Sequence, residues 1–296
     1  MKVIRPMRVD DAALVSSDVP ETEHAAWSSV TAYDAADRAI KAHRIWESVQ
    51  GANTNHDPVT DDGTWWIEIG PTNRWAMFDE IVQTQTTQAD SVSVQLQAVG
   101  RIDTVAMLNI AATSALVRMT DSIDGVVYEE TFGLVSTEGI VDWSAYFFEP
   151  IARKTDLIVQ GLPPYANALL DVELTQTGGT VKCGVLIPGF SRTIGTTLAG
   201  AGVGIRDYST KETDDFGRAF VVERAFAKRA TFQVLVDNAM VDGLQTLLAT
   251  YRATPILYVG SERFAATALY GFYKDFGIDI AYPEHALCSL EIEALT

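Results

Sequence analysis

The chain has 296 residues, enough for two or three domains, and its 47% hydrophobic against 21% charged content excludes extensive disorder. A formal net charge of −17 disfavours nonspecific adhesion to nucleic acid or to an anionic membrane, since both need a basic face. No apolar run approaches the roughly 18–20 residues of a membrane span, and Met1 to Asp11 lacks an apolar signal core, so synthesis in a cytosol is expected.

Residues 1–24 are rich in acidic and small residues, show little periodicity and are broken by Pro6 and Pro20. They predict an extended arm that orders only against a partner. Residues 25–78 form a small module holding five of the six tryptophans, from Trp27 to Trp75. Its middle, Asp34 to Val49, suits either a helix by composition or two short strands, Arg38–Lys41 and Arg44–Val49. Strands are preferred, because Ile45-Trp46-Glu47-Ser48-Val49 fits a pleated, half-buried surface. Gly51 to Pro58 is a polar loop, Asp61-Asp62-Gly63 a turn, and Trp65 to Ile69 a third strand. Large aromatics at this density either build the core of a small module or lie on its surface as platforms. Tyr33, Trp46, Trp65, Trp66 and Trp75 are therefore the candidate binding residues. Trp65 and Trp66 are adjacent, so a strand turns one in and the other out. Trp46 is read as core, and one of that pair as a contact residue.

Residues 79–190 change character. Ser91 to Val99 alternates polar and apolar residues with period two. Further short strands are expected at Thr104–Ile110, Ala115–Thr120, Val126–Thr131, Asp156–Gly161, Ala168–Thr175 and Lys182–Ile187. Their even spacing, with turns at Asp124-Gly125, Pro163-Pro164 and Gly178-Gly179, predicts a β-sandwich. Residues 191–204, with Gly195, Gly200, Gly202 and Gly204, read as a flexible linker. Residues 205–296 read as a compact α+β domain. Its strands are Arg218–Arg224, Ala230–Val236, Thr254–Gly260, Leu269–Ile280 and Ala286–Ala294. Its helix, Asn238–Arg252, is capped by Asp237 and turns Val241, Leu244, Leu247, Leu248 and Tyr251 to one side. The basic group Arg218, Arg224, Lys228 and Arg229 reads as a solvated face or a subunit contact. The fold class is thus mainly β with a C-terminal α+β part.

Catalytic patterns fail. Gly200-Ala-Gly-Val-Gly204 lacks the third spaced glycine of a dinucleotide loop, and no Gly-Lys-Ser/Thr phosphate loop is present. Gly189-Phe-Ser191 lacks the second glycine of a nucleophile elbow. His24, His43, His56 and His285 are scattered without zinc spacing. Asn53-Thr-Asn55-His-Asp57 lacks the spacing of a calcium loop and reads as a hydrogen-bonded turn. Glu129-Glu130 and Asp214-Asp215 are sequence neighbours, which point apart on a strand and do not converge on one sugar. Cys183 and Cys288 read as buried free thiols. No enzyme activity, cofactor or metal is expected.

Two resemblances add to this reading. Tyr33, Trp46, Gly51-Ala-Asn-Thr54, Pro58 and Trp65-Trp66 resemble the small chitin-binding-like module of the carbohydrate-binding superfamily, which recurs in phage tail proteins. Gly70-Pro-Thr-Asn-Arg-Trp-Ala-Met-Phe-Asp79 with Thr84-Gln-Thr86 is similar to a run in tail proteins of double-stranded DNA phages and prophages. So are Phe216-Gly-Arg218, Gln245 to Pro255 and Tyr270-Gly-Phe-Tyr-Lys-Asp-Phe276. The resemblance implies a structural virion component of the baseplate, tail tip or fibre-attachment region, assembled in the host bacterial cytoplasm. It implies other tail proteins as partners and a homo-oligomer in the particle. Recognition of a host cell-surface glycan is the alternative. Neither nucleic-acid binding nor membrane insertion is expected.

Overall fold

The computed structural model describes residues 1–136, 142–148 and 152–295. Strands take 53% of the chain and helices 8%. That is far below the third of residues that a helical assignment would need, and the fold is mainly β with a small helix near the C-terminus. The chain forms two compact units. One comprises Met1–Met7, Ile102–Thr104 and Pro188–Thr296, the other Arg8–Arg101 and Val105–Ile187.

The second unit contains a five-stranded antiparallel sheet in the order Gly125–Gly133, Ser114–Asp121, Leu169–Cys183, Thr86–Gln97, Leu14–Ser17. Its register explains the alternation in the sequence. Val94, Val172 and Val117 form one row across three strands, flanked by Leu96-Leu170-Met119 and Val92-Leu174-Ala115. All nine are buried. The intervening row, Gln95-Asp171-Arg118, lies on the opposite face, where Gln95 donates to the Asp171 carboxylate at 2.7 Å. Residues 79–190 also supply Thr104–Leu108 and Leu157–Gln160 to a further sheet. All of Thr104–Leu108 is buried, so it reads as a continuous run rather than an alternation.

The tryptophan-rich module lies in this unit too. Arg38–Lys41, Arg44–Ser48 and Trp66–Pro71 make a three-stranded sheet, and Ala32–Tyr33 pairs with Asn53–Thr54. The strand alternative for Asp34 to Val49 is the one adopted. Asn73 ties the module to the larger sheet: its side chain donates to the Thr87 carbonyl and accepts from the Thr87 amide, both at 2.8 Å.

Residues 1–24 correct the expectation of a free arm. Leu14–Ser17 is a strand of the five-stranded sheet, and Leu14 opposes Leu96. The Glu21 carboxylate accepts from His43 Nδ1 at 2.9 Å and from Thr72 Oγ1 at 2.8 Å, and Glu23 accepts from the Asn73 amide. Glu21 and Glu23, on the segment expected to order only against a partner, are acceptors fixed on the chain's own module.

In the first unit Lys2–Pro6 is an interior strand. It pairs with Val185–Thr193 on one side and Ile256–Val259 on the other. The sheet continues through Ala268–Asp279, His285–Ala294 and Phe226–Asp237. The Asp237 carboxylate accepts from the Ala239 amide at 2.8 Å and caps a 3-10 turn, Asn238–Met240. That turn leads into the helix Val241–Thr250. Leu244, Leu248 and Tyr251 pack into a core with Phe232, Val234, Tyr258 and Leu290. Leu247 is partly buried against it.

Residues 191–204 correct the linker reading. Ser191 to Thr193 pair with Ile4 to Lys2, Ile194 is buried in the core, and Thr196–Thr197 pairs with Leu235 and Val234. Gly195 has φ +155°, and a Cβ there would meet the Leu235 carbonyl at 2.4 Å. The glycine permits close backbone approach rather than flexibility. The expected boundary at 190 therefore falls inside the strand Val185–Thr193.

Cys183 and Cys288 are free and buried. Burial pushes the Cys183 thiol up to about 12 and that of Cys288 up to about 11, so neither is a thiolate near neutral pH.

Candidate functional site

The candidate aromatics divide into a cluster and an outlier. Tyr33 and Trp66 are buried with Ala39, and Trp27, Trp46 and Trp65 pack half-buried against them. Tyr33 meets Trp66 edge to face, with centroids 5.0 Å apart. The Trp66 indole N–H donates to the His56 carbonyl at 2.9 Å, and that of Trp46 to the Lys41 carbonyl at 3.1 Å. The orientation of the Trp65-Trp66 pair is set by Asp61. One oxygen of its carboxylate accepts from the amides of Gly63, Trp65 and Trp66, each at 3.0 Å. Trp66 thus points inward and Trp65 to the margin. Trp66 is the fully buried ring of the module, and Trp46, read as core, packs partly buried against it.

Asn53 is fully buried, and its amide donates to Ser48 Oγ at 2.9 Å and the Trp65 carbonyl at 3.2 Å. Its carbonyl oxygen lies 2.9 Å from His56 Nδ1. The Asn53 to Asp57 segment is thereby a hydrogen-bonded turn beneath the aromatic cluster.

Three of the half-buried rings have a partner over one face. His56 lies on Trp65 with centroids 3.7 Å apart and planes 9° from parallel. The Lys41 ammonium sits 3.7 Å above Trp27. Trp75 stands apart from the cluster, stacked on His43 at 4.3 Å and edge-on to Phe78 at 5.8 Å. His43 is itself held between Asp11 at 2.7 Å and Glu21 at 2.9 Å. None of the five candidates is exposed.

No family model, no curated protein and no solved structure matches this chain. The assignment of a site therefore rests on the geometry.

The most exposed cluster of large aromatics lies outside the N-terminal module. A short helix, Trp143–Phe148, carries four large aromatics in six residues. Trp143 is 78% exposed, Tyr146 59%, Phe147 68% and Phe148 84%. The i, i+3 and i, i+4 spacing brings three of them together. Trp143 lies 6.0 Å from Tyr146 and 6.2 Å from Phe147, and Tyr146 lies 5.2 Å from Phe147. The signal in the sequence was the sixth tryptophan followed by Tyr-Phe-Phe. A helix of under two turns is too short for a sustained 3.6-residue period.

Among the described residues, no group of three or more His, Cys, Asp or Glu is placed to hold a metal ion. No helix among them is long and apolar enough to cross a membrane.

Proposed function

We propose that this chain is a structural component of a phage tail, of the baseplate, tail-tip or fibre-attachment type, acting through protein–protein contacts and not as an enzyme. The tail assignment rests on the resemblance carried by Gly70 to Asp79, Phe216 to Arg218 and Tyr270 to Phe276. The mode of action rests on the exposed aromatic helix Trp143–Phe148. Contiguous exposed aromatics mark contact surfaces, and tryptophan and tyrosine dominate the energetics of such surfaces. The alternative of a glycan platform needs an open ring face. In the module, Trp65 gives a face to His56 and Trp75 gives one to His43. This favours protein contact over sugar stacking there.

Replacing Trp143, Tyr146, Phe147 and Phe148 together by serine is expected to leave the unfolding midpoint nearly unchanged, since exposed side chains contribute little to stability. Incorporation into particles is expected to fall at least about tenfold, as for loss of a contact hot spot. Quantitative immunoblotting of purified particles against the soluble lysate measures this. Normal incorporation of the fourfold variant would remove the helix from the contact surface.

A further inference from the structure

The hairpin of Arg38–Lys41 with Arg44–Ser48 turns through Ala42 and His43, at φ +51° and φ +62°. A two-residue turn with both central residues in the left-handed region is usually built from asparagine and glycine. Alanine and histidine stay in that region only where their surroundings hold them.

What holds this turn comes from two distant segments. The His43 carbonyl accepts from the Thr72 amide at 2.9 Å, and the His43 ring lies on Trp75 with centroids 4.3 Å apart. Ring nitrogen Nδ1 is 2.9 Å from the Glu21 carboxylate, and Nε2 is 2.7 Å from that of Asp11. The two carboxylates differ in surroundings. The Glu21 side chain is 15% exposed and also accepts from Thr72 Oγ1, whereas that of Asp11 is 76% exposed. Arg74 is paired with Glu21, 3.6 Å from its other oxygen. On the hairpin itself Lys41 is paired with Asp57 and Arg44 with Glu68.

An ionised carboxylate only accepts hydrogen bonds. Both contacts are hydrogen bonds only when both ring nitrogens carry a proton, that is, when His43 is an imidazolium. Trp75 favours the same form, because its ring face attracts a cation. A neutral ring has a single N–H. Placed on Nδ1, that N–H keeps the more buried Glu21, and the Nε2 lone pair then faces the Asp11 carboxylate. Two acceptors repel, and the exposed Asp11 side chain can turn into water.

We infer that His43 is a proton-operated clamp between residues 11–21 and the hairpin turn. Protonated, it ties both carboxylates to the turn; neutral, it keeps Glu21 and releases Asp11. Imidazoles change charge between about pH 5 and 8. The stability that the clamp contributes is therefore present on the acid side, down to the region near about pH 4 where carboxylates protonate, and is lost as pH rises. The exposure of Asp11 keeps the effect modest. The inference does not depend on the tail assignment.

Hydrogen exchange of the full chain at about pH 6 and about pH 8.5 tests it, read as protection factors so that the intrinsic pH dependence of exchange cancels. The amides of Arg44–Ser48 and of Trp66–Pro71 are expected to be about threefold better protected at the lower pH. His43→Asn puts a residue that suits the left-handed turn, and does not titrate, in place of the imidazole. It is expected to remove most of the difference. Asp11→Ala, at an exposed side chain and with the turn untouched, is expected to do the same. Equal protection at both pH values in the unaltered chain, or a difference undiminished by either substitution, would overturn the inference.

Discussion

Removal of residues 1–7 is expected to unfold the unit that contains the C-terminal helix, not to release a dispensable arm. Lys2–Pro6 bonds along both edges, so deletion exposes two rows of unpaired backbone groups, on Val185–Thr193 and Ile256–Val259. It also withdraws Met1 and Val3 from the core around Phe232 and Tyr258, and the fully buried Ile4 from the sheet. Burying each such side chain contributes about 1.5–3 kcal/mol. Three of them, with the lost pairing, approach the roughly 5–15 kcal/mol that holds a domain together. Hydrogen exchange is the direct readout. The amides of Ile256–Val259 should lose protection in the truncated chain, while those of Thr86–Gln97 in the other unit keep theirs. Full protection of Ile256–Val259 after truncation would show that the N-terminal strand is dispensable.

The second large effect is expected at Trp66. Its ring is 1% exposed, packs against Tyr33, and donates its N–H to the His56 carbonyl. Trp66→Ala should destabilise the module by about 3–5 kcal/mol, the usual loss for a buried large aromatic. Trp65→Ala, at the half-buried margin, should cost much less. Urea unfolding followed by the remaining tryptophans separates the two. Equal losses for both variants would contradict the assignment of Trp66 as the centre of the module.

What could be read in the sequence was whatever repeats locally. The strand Thr86–Gln97 was legible because Val92, Val94 and Leu96 alternate with polar residues across one buried face. The Asp237 cap and the face of Leu244, Leu248 and Tyr251 were legible for the same reason at helical period. Lys2–Pro6 was not. It is short, ends at a proline, and finds its partners near residues 190 and 257, so its order comes from pairing distant in the chain. The glycines of 191–204 misled because close approach and flexibility use the same residue. At Trp65-Trp66 the alternation established that one ring turns inward. Which one depends on the three amides gathered by Asp61, a contact that no periodicity encodes. The helix Trp143–Phe148 escaped because six residues hold no sustained period.

The central proposal, a structural tail component, is tested most directly by quantitative mass spectrometry of tailed particles purified from cells that produce this chain. The proposal predicts that the chain sediments with the particles at a fixed ratio to their other tail proteins, and that the ratio persists through salt washing. Recovery of the chain only in the soluble lysate, with intact particles free of it, would contradict the proposal.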